Sequence, residues 1–311
     1  MNYLIEKLYQ RSLTHSLVRF AVASSWPRRI LNMAYLRMTP YQRSAFHSHF
    51  AKIFRNSPCH IEEGMWRINF SGKTILLPLD SEKIWLEWDS AVSIIGHDID
   101  VKETYRHLIE STDKPDLFID IGGNYGTHSL LFLVHGVATI TFEPNSLCNH
   151  FFRLLCDLNG LKPNLQSVAL GERHGFVELS YPARDTWHGS TDTKVINGLA
   201  ANHELLTESV EQKKLDDYLS SFSAKNMLIK IDTEGNELTV LKGAIETLKR
   251  FRPKVIFESC NAEDRIGLFD FFTLHDYQIG TLPLTSATSL GALGYDAFRV
   301  STSSNFIAIS K

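Results

Sequence analysis

The sequence predicts an α/β fold: a seven-stranded, mostly parallel, doubly wound sheet, preceded by a helical N-terminal extension and a small hairpin. Three features point there. From about Asp116 onward, short apolar runs alternate with helical segments, the pattern of a parallel sheet covered on both faces. One run ends in the glycine-rich turn Asp120-Ile121-Gly122-Gly123-Asn124-Tyr125-Gly126. Another ends in Lys230-Ile231-Asp232-Thr233-Glu234-Gly235, two acids followed by a glycine that releases the chain into a helix.

The chain has 311 residues, 43% of them hydrophobic and 22% charged, which excludes a disordered, collagen-like or disulfide-stapled protein. Apolar runs such as 130–134 are far too short to cross a bilayer, so no transmembrane helix is expected. The cysteines at 59, 148, 156 and 260 form no Cys-x-x-Cys pair, so neither a zinc site nor a disulfide framework is encoded; a reducing, cytoplasmic location and no metal are expected.

Residues 1–59 read as a basic helical arm. Within the first 60 residues nine Lys or Arg face the single acid Glu6, a net charge of +8, while the rest of the chain carries −11. Apolar positions Leu4, Ile5, Leu8, Tyr9, Leu13, Leu17 and Phe20 recur at helical spacing; Ser24-Ser25-Trp26-Pro27 breaks the pattern; and Arg28 to about Met38 resumes it as a basic amphipathic stretch. Such an arm suits either an anionic membrane surface or packing on the protein's own body. A peripheral position on the inner face of a membrane follows from the first reading.

Residues 60–110 read as a hairpin and a helical lead-in. Two alternating stretches around 65–70 and 74–77 flank Ser71-Gly72-Lys73. Residues 111–311 hold the main domain, with strands at Leu117–Ile121, Ala138–Phe142, 164–169, Met227–Ile231, Lys254–Glu258, Tyr277–Thr281 and Asn305–Ser310. The long connection 173–212 reads as a loop over the acceptor side, because it holds Gly175, Gly189 and Gly198 among many polar residues.

A strand, a glycine turn and a helix N-terminus let backbone approach a ligand closely, so 120–126 reads as a cofactor turn. The dinucleotide fingerprint G-x-G-x-x-G fails, because Asn124 and Thr127 stand where it needs glycine after Gly122. Glu143 ends the next strand, where a carboxylate can accept both hydroxyl protons of a ribose; Pro144 and Asn145 then turn the chain away. Ligands of open α/β sheets bind beyond the carboxyl ends of the strands, so Asp232 and Glu234 should face the same crevice.

Together these stretches resemble the FkbM family of methyltransferases. Residues 118–126, Thr141-Phe142-Glu143-Pro144-Asn145, 229–235, Leu241-Lys242-Gly243 and Phe257-Glu258 carry the likeness, with further matches at Ser167-Val168-Ala169-Leu170-Gly171 and 214–218. It covers about residues 115–282. The resemblance implies a class I, Rossmann-like methyltransferase fold with S-adenosyl-L-methionine as donor. It implies a hydroxyl acceptor on a sugar, glycolipid or polyketide-type natural product, bound as a small molecule or glycan. It implies that Asp120, Gly122, Gly123, Asn124, Tyr125, Gly126, Glu143, Pro144, Asn145, Ser167 and Val168 form the donor site. Gly123 departs from it, since the family commonly has alanine there.

Methyl transfer to an alcohol needs in-line placement, removal of a proton and exclusion of water. Asp232 and Glu234 are the first candidates for base or orienter and Glu258, at the next strand end, the third; capping of the helix near Gly235 is the competing role for the first two. His128, His174 and His188 are candidates on the acceptor side. Asp98-Ile99-Asp100 resembles the metal-binding D-x-D of glycosyltransferases, a competing enzyme class. A methyltransferase-like domain serving as a membrane-docked interaction module without turnover is the non-enzyme alternative. Nucleic acid is not expected as a partner, because the body is acidic.

Overall fold

A computed structural model describes residues 17, 20, 24–39, 42, 64–79, 98–182, 189–284 and 290–311. The chain divides into two compact units, Met1–Ile99 and Asp100–Lys311, so the expected 60–110 lead-in is split between them. In the first unit, helix α1 (Ser25–Leu36) packs against strand β1 (Gly64–Phe70), which pairs antiparallel with β2 (Lys73–Leu79). The hairpin closes through Ser71 and Gly72, both at positive φ, as a two-residue turn matched to strand twist requires. Ile68, Phe70, Ile75 and Leu77 bury one face of it. The expected helix at the start of the arm lies mostly outside the described residues.

The second unit begins with α2 (Ile99–Glu110) and continues as β3 (Leu117–Ile121), α3 (Thr127–Leu133), β4 (Ala138–Phe142), α4 (Ser146–Leu158), β5 (Asn164–Gln166), β6 (Ala169–Leu170), β7 (Gly175–Pro182), α5 (Thr193–Ala200) and β8 (Leu205–Lys213). A 3-10 turn (Leu215–Ser221), β9 (Met227–Ile231), α6 (Glu237–Lys242), α7 (Ile245–Phe251), β10 (Lys254–Glu258), α8 (Ala262–Leu274), β11 (Tyr277–Thr281), α9 (Tyr295–Arg299) and β12 (Asn305–Ser310) complete it.

Seven strands form one sheet in the order β11-β12-β10-β9-β3-β4-β5, parallel except for β12, which runs against both its neighbours. Strands β3 and β9 are buried along their whole length, which is why they read as continuous apolar runs. One face packs Phe118, Phe132 and Tyr105, with the two phenylalanine rings stacked at 4.0 Å. The other packs Phe142, Ile229, Phe257, Phe272 and Phe306. Each such side chain contributes about 1.5–3 kcal/mol by leaving water. The order reverses between β3 and β9, so the crevice at the carboxyl ends opens beside Gly122, Glu143, Asp232 and Glu258.

Two expectations need correction. The strand expected over 164–169 is two: β5 ends at Gln166, and β6 leaves for a separate three-stranded sheet of order β6-β8-β7. The long 173–212 loop is instead mostly ordered structure, holding β7, α5 and nearly all of β8. Only Leu179, Tyr181 and Val210 of β7 and β8, with Ala169, form that sheet's small buried cluster, so the apolar signal of those strands is weak.

Candidate active site

The glycine turn is fixed by backbone. The N–H groups of Gly122 and Gly123 both donate to the Phe142 carbonyl, at 2.9 and 3.1 Å, and Gly126 N–H donates to Gly123 carbonyl at 2.7 Å. Gly122 and Gly126 hold positive φ, and a Cβ on Gly126 would fall inside the Phe152 ring, so glycine is required twice over. A Cβ on Gly123 would strike Thr141 Cγ2. The glycine that replaces the family's alanine is therefore matched to the threonine beside it.

Asp120 lies fully buried beneath this turn rather than in the crevice. Its Oδ2 accepts from the Ser129 N–H at 3.1 Å and hydroxyl at 2.7 Å, tying strand β3 to the first turns of α3. Burial raises its pKa, against the opposing charge of Lys230.

Glu143 holds the turn from the side. Its Oε2 accepts from Asn124 N–H and its Oε1 from Asn145 N–H, each at 2.7 Å. Burial pushes the carboxyl up to about 7 even against these two donors. Each oxygen retains a second lone pair, so bidentate acceptance from a ligand diol stays available. Asn145 itself is spent locally, its side-chain oxygen capping α4 by accepting from Leu147 and Cys148 N–H. Tyr125 packs edge-on against Phe151, and Pro144 is half-buried. Ser167 Oγ accepts from Asn149 Nδ2 at 3.1 Å, while Val168 belongs to the hydrophobic core.

Asp232, Glu234 and Glu258 come together as the sequence suggests. Each offers one carboxylate oxygen, and the three oxygens lie within 4.8 Å of one another, close enough to share a proton or a cation. Burial, then the charges of Asp232 and Glu234, lifts Glu258 to about 9, and burial lifts Glu234 to about 7. Such a cluster holds protons at neutral pH that isolated carboxylates have lost.

Inside the cluster sits Lys230, a residue the sequence reading passed over. Its side chain is 3% exposed, and its Nζ donates to Asp232 Oδ2 at 2.7 Å. It pairs in register with Asp120 on β3, so one buried cation lies between the turn's anchor and the acids. The signal was present: a lysine inside Leu228-Ile229-Lys230-Ile231, a run otherwise apolar on both faces, is seldom buried without a partner. Glu237 was missed too. Its Oε1 accepts from Thr233 N–H and hydroxyl and from Gly235 N–H, so it performs the bracing considered for Glu234 and Asp232. Glu234 is held at positive φ, and its carboxylate belongs to the cluster.

Neither His128 nor His174 joins this group in the structure. His128 Nδ1 meets Tyr105 hydroxyl at 3.0 Å on the α2 side. His174 pairs with Asp217 at 2.9 Å on the small sheet. His188 lies outside the described residues. Asp100 sits in the first turn of α2, where its Oδ1 accepts from Val101 N–H. The segment that does reach the cluster is 190–195: Ser190 hydroxyl donates to the Glu234 carbonyl at 2.9 Å, and Asp192 and Val195 stand against Gly235.

Compared with known proteins, the chain matches the methyltransferase FkbM domain model over residues 120–283. A crystal structure of methyltransferase FkbM from Methylobacillus flagellatus KT is similar with TM-score 0.41 at 14% identity, the match covering 74% of this chain and 54% of that one. This chain thus spans about half the length of that protein. An SAM-dependent methyltransferase from Agrobacterium tumefaciens is similar with TM-score 0.39 at 11% identity, over 78% of this chain and 69% of that one. The plantazolicin methyltransferase BpumL in complex with SAH gives TM-score 0.38 at 10% identity, over 75% and 91%. No curated protein matches the chain.

Proposed function

The chain belongs to the FkbM methyltransferase family, and from that premise we propose that it transfers a methyl group from S-adenosylmethionine to a hydroxyl of a carbohydrate, glycolipid or related natural product. The observation that supports this best is the contact between the two halves of the crevice. The glycine turn, braced by Glu143, abuts the backbone of Asp232, whose carboxylate belongs to the acidic cluster. The donor set suits a ribose-bearing ligand: a turn without side chains, and one carboxylate at the end of the next strand.

When bound, S-adenosylmethionine supplies a methyl group already activated on a sulfonium. The chain's own residues do the rest. Glu143 and the 122–126 turn orient the donor. Asp232, paired with Lys230, orients the acceptor hydroxyl or takes its proton, with Glu234 beside it as a further proton acceptor and Glu258, which holds its own proton, as a hydrogen-bond donor. Ser190 to Val195 cover Glu234 and Gly235 and narrow the access of water. The membrane-peripheral, cytoplasmic placement joins this reading through the basic arm, near the surface where glycolipid acceptors are assembled.

Calorimetric titration with S-adenosylhomocysteine tests the donor half: micromolar binding, about −8 kcal/mol, lost in Glu143→Ala. Methyl transfer to a panel of sugars and glycolipids, abolished in Asp232→Asn while that binding persists, tests the acceptor half. Binding without transfer to any hydroxyl acceptor would overturn the acceptor assignment and leave the donor site standing.

A further inference from the structure

Helix α1 leaves one face open. Trp26, Ile30 and Met33, spaced i, i+4 and i+7, share that face and are 71%, 49% and 48% exposed, although α1 packs against β1. Single exposed apolar side chains are ordinary, but three aligned along one helix mark a contact surface. Leu17 and Phe20, also helical, are exposed as well.

Charge selects the occupant. The sequence Ser25–Leu36 holds Arg28 and Arg29 and no acid, an exposed Arg37 follows, and the first 60 residues carry +8. At about 1.5 Å per residue the helix is only some 18 Å long, too short to cross a bilayer. Among the described residues no helix is long and apolar enough to do so. A second copy on this face would bring two arms of +8 together. A nucleic acid would satisfy the arginines but leave Ile30 and Met33 in water. An anionic bilayer satisfies both: apolar side chains enter the acyl boundary, arginines meet headgroup phosphates, and tryptophan lies at the headgroup level it favours.

We propose that α1 is an interfacial helix that docks the protein on anionic membrane, lying in the headgroup plane with Trp26, Ile30 and Met33 inserted. This deepens the membrane-peripheral part of the reading above, and it is independent of methyl transfer.

The test is co-sedimentation of the full chain with vesicles of phosphatidylcholine alone or with about 30 mol% phosphatidylglycerol, alongside bromolipid quenching of tryptophan fluorescence. Wild type should partition about tenfold better onto the anionic vesicles. Trp26→Ser/Ile30→Ser/Met33→Ser should lose about tenfold, and Arg28→Glu/Arg29→Glu/Arg37→Glu should lose the lipid preference. Bromolipid should quench wild type more than Trp26→Phe. Equal sedimentation of wild type and the serine variant would overturn the proposal. So would a lipid-free dimer that the serine variant dissolves, or binding to RNA but not to vesicles. Unchanged S-adenosylhomocysteine affinity in the serine variant separates failure of docking from failure of the methyltransferase reading.

Discussion

Gly122 and Asp232 meet through their backbones: a Cβ on Gly122 would fall on the Asp232 carbonyl oxygen, and the Asp232 N–H donates to the Ile121 carbonyl at 2.9 Å. The glycine turn and the loop that carries the acids are therefore one mechanical unit. Gly122→Ala must push these loops apart and force alanine to φ +76. Gly136 has nearly the same φ, +72, with open space around its Cβ position. Denaturant unfolding should show Gly136→Ala losing about 1 kcal/mol from backbone strain alone. Gly122→Ala should lose about 3 kcal/mol or more and abolish S-adenosylhomocysteine binding. Equal losses would mean that the contact can relax.

Glu143 links that unit to protonation. Burial places its carboxyl at about 7, and only the ionised form can accept from both ribose hydroxyls. S-adenosylhomocysteine affinity should fall about tenfold between pH 8 and pH 6, following the ionised fraction. Glu143→Gln should bind weakly at both values, with that slope gone. A wild-type affinity flat across this range would place the diol elsewhere.

Lys230 is the buried countercharge for the partly exposed Asp232, and removing it leaves that acid uncompensated. Lys230→Met should cost about 1–3 kcal/mol in stability, more than the double variant Lys230→Met/Asp232→Asn. Urea unfolding of the single and double variants gives the coupling directly. Additive losses would show that Lys230 is held by other partners and not chiefly by this acid.

The legible parts of the fold were those buried on both faces. Strands β3, β4, β9, β10, β11 and β12 begin and end where the apolar runs do, because β3 and β9 are buried throughout and the other four along most of their length. Strands β7 and β8 escaped because they shield so little: Phe176 is exposed and Glu208 and Glu211 interrupt the run, so polarity outweighed a real alternation. The same contrast holds in the site. Acids at strand ends were readable from position alone, since the carboxyl edge of a parallel sheet collects them. What Asp120 and Asn145 do was not, because Asp120 turns under the strand to Ser129 and Asn145 caps the helix that follows it, side-chain choices that position at a strand end does not reveal.

Glu258 gives the acidic cluster a signature in stability. Its carboxyl, raised to about 9 from an ordinary 4.5, keeps its proton in the folded state over a range where the unfolded chain has lost it. The folded state then binds more protons than the unfolded one, so stability is full below about pH 4.5 and declines as pH rises through about 9. Glu143 and Glu234, at about 7, have mostly titrated by the upper half of that range, so the decline between pH 7 and pH 9 belongs chiefly to Glu258. Each proton released on unfolding is worth up to about 1.4 kcal/mol per pH unit, and a unit of this size loses about 2–4 °C of Tm per kcal/mol. The melting temperature of wild type should therefore fall by several degrees between pH 7 and pH 9, while Glu258→Gln, which has no proton to release, should stay nearly level. Parallel curves for the two proteins would show that Glu258 ionises as an ordinary carboxylate and that the three acids do not share a proton.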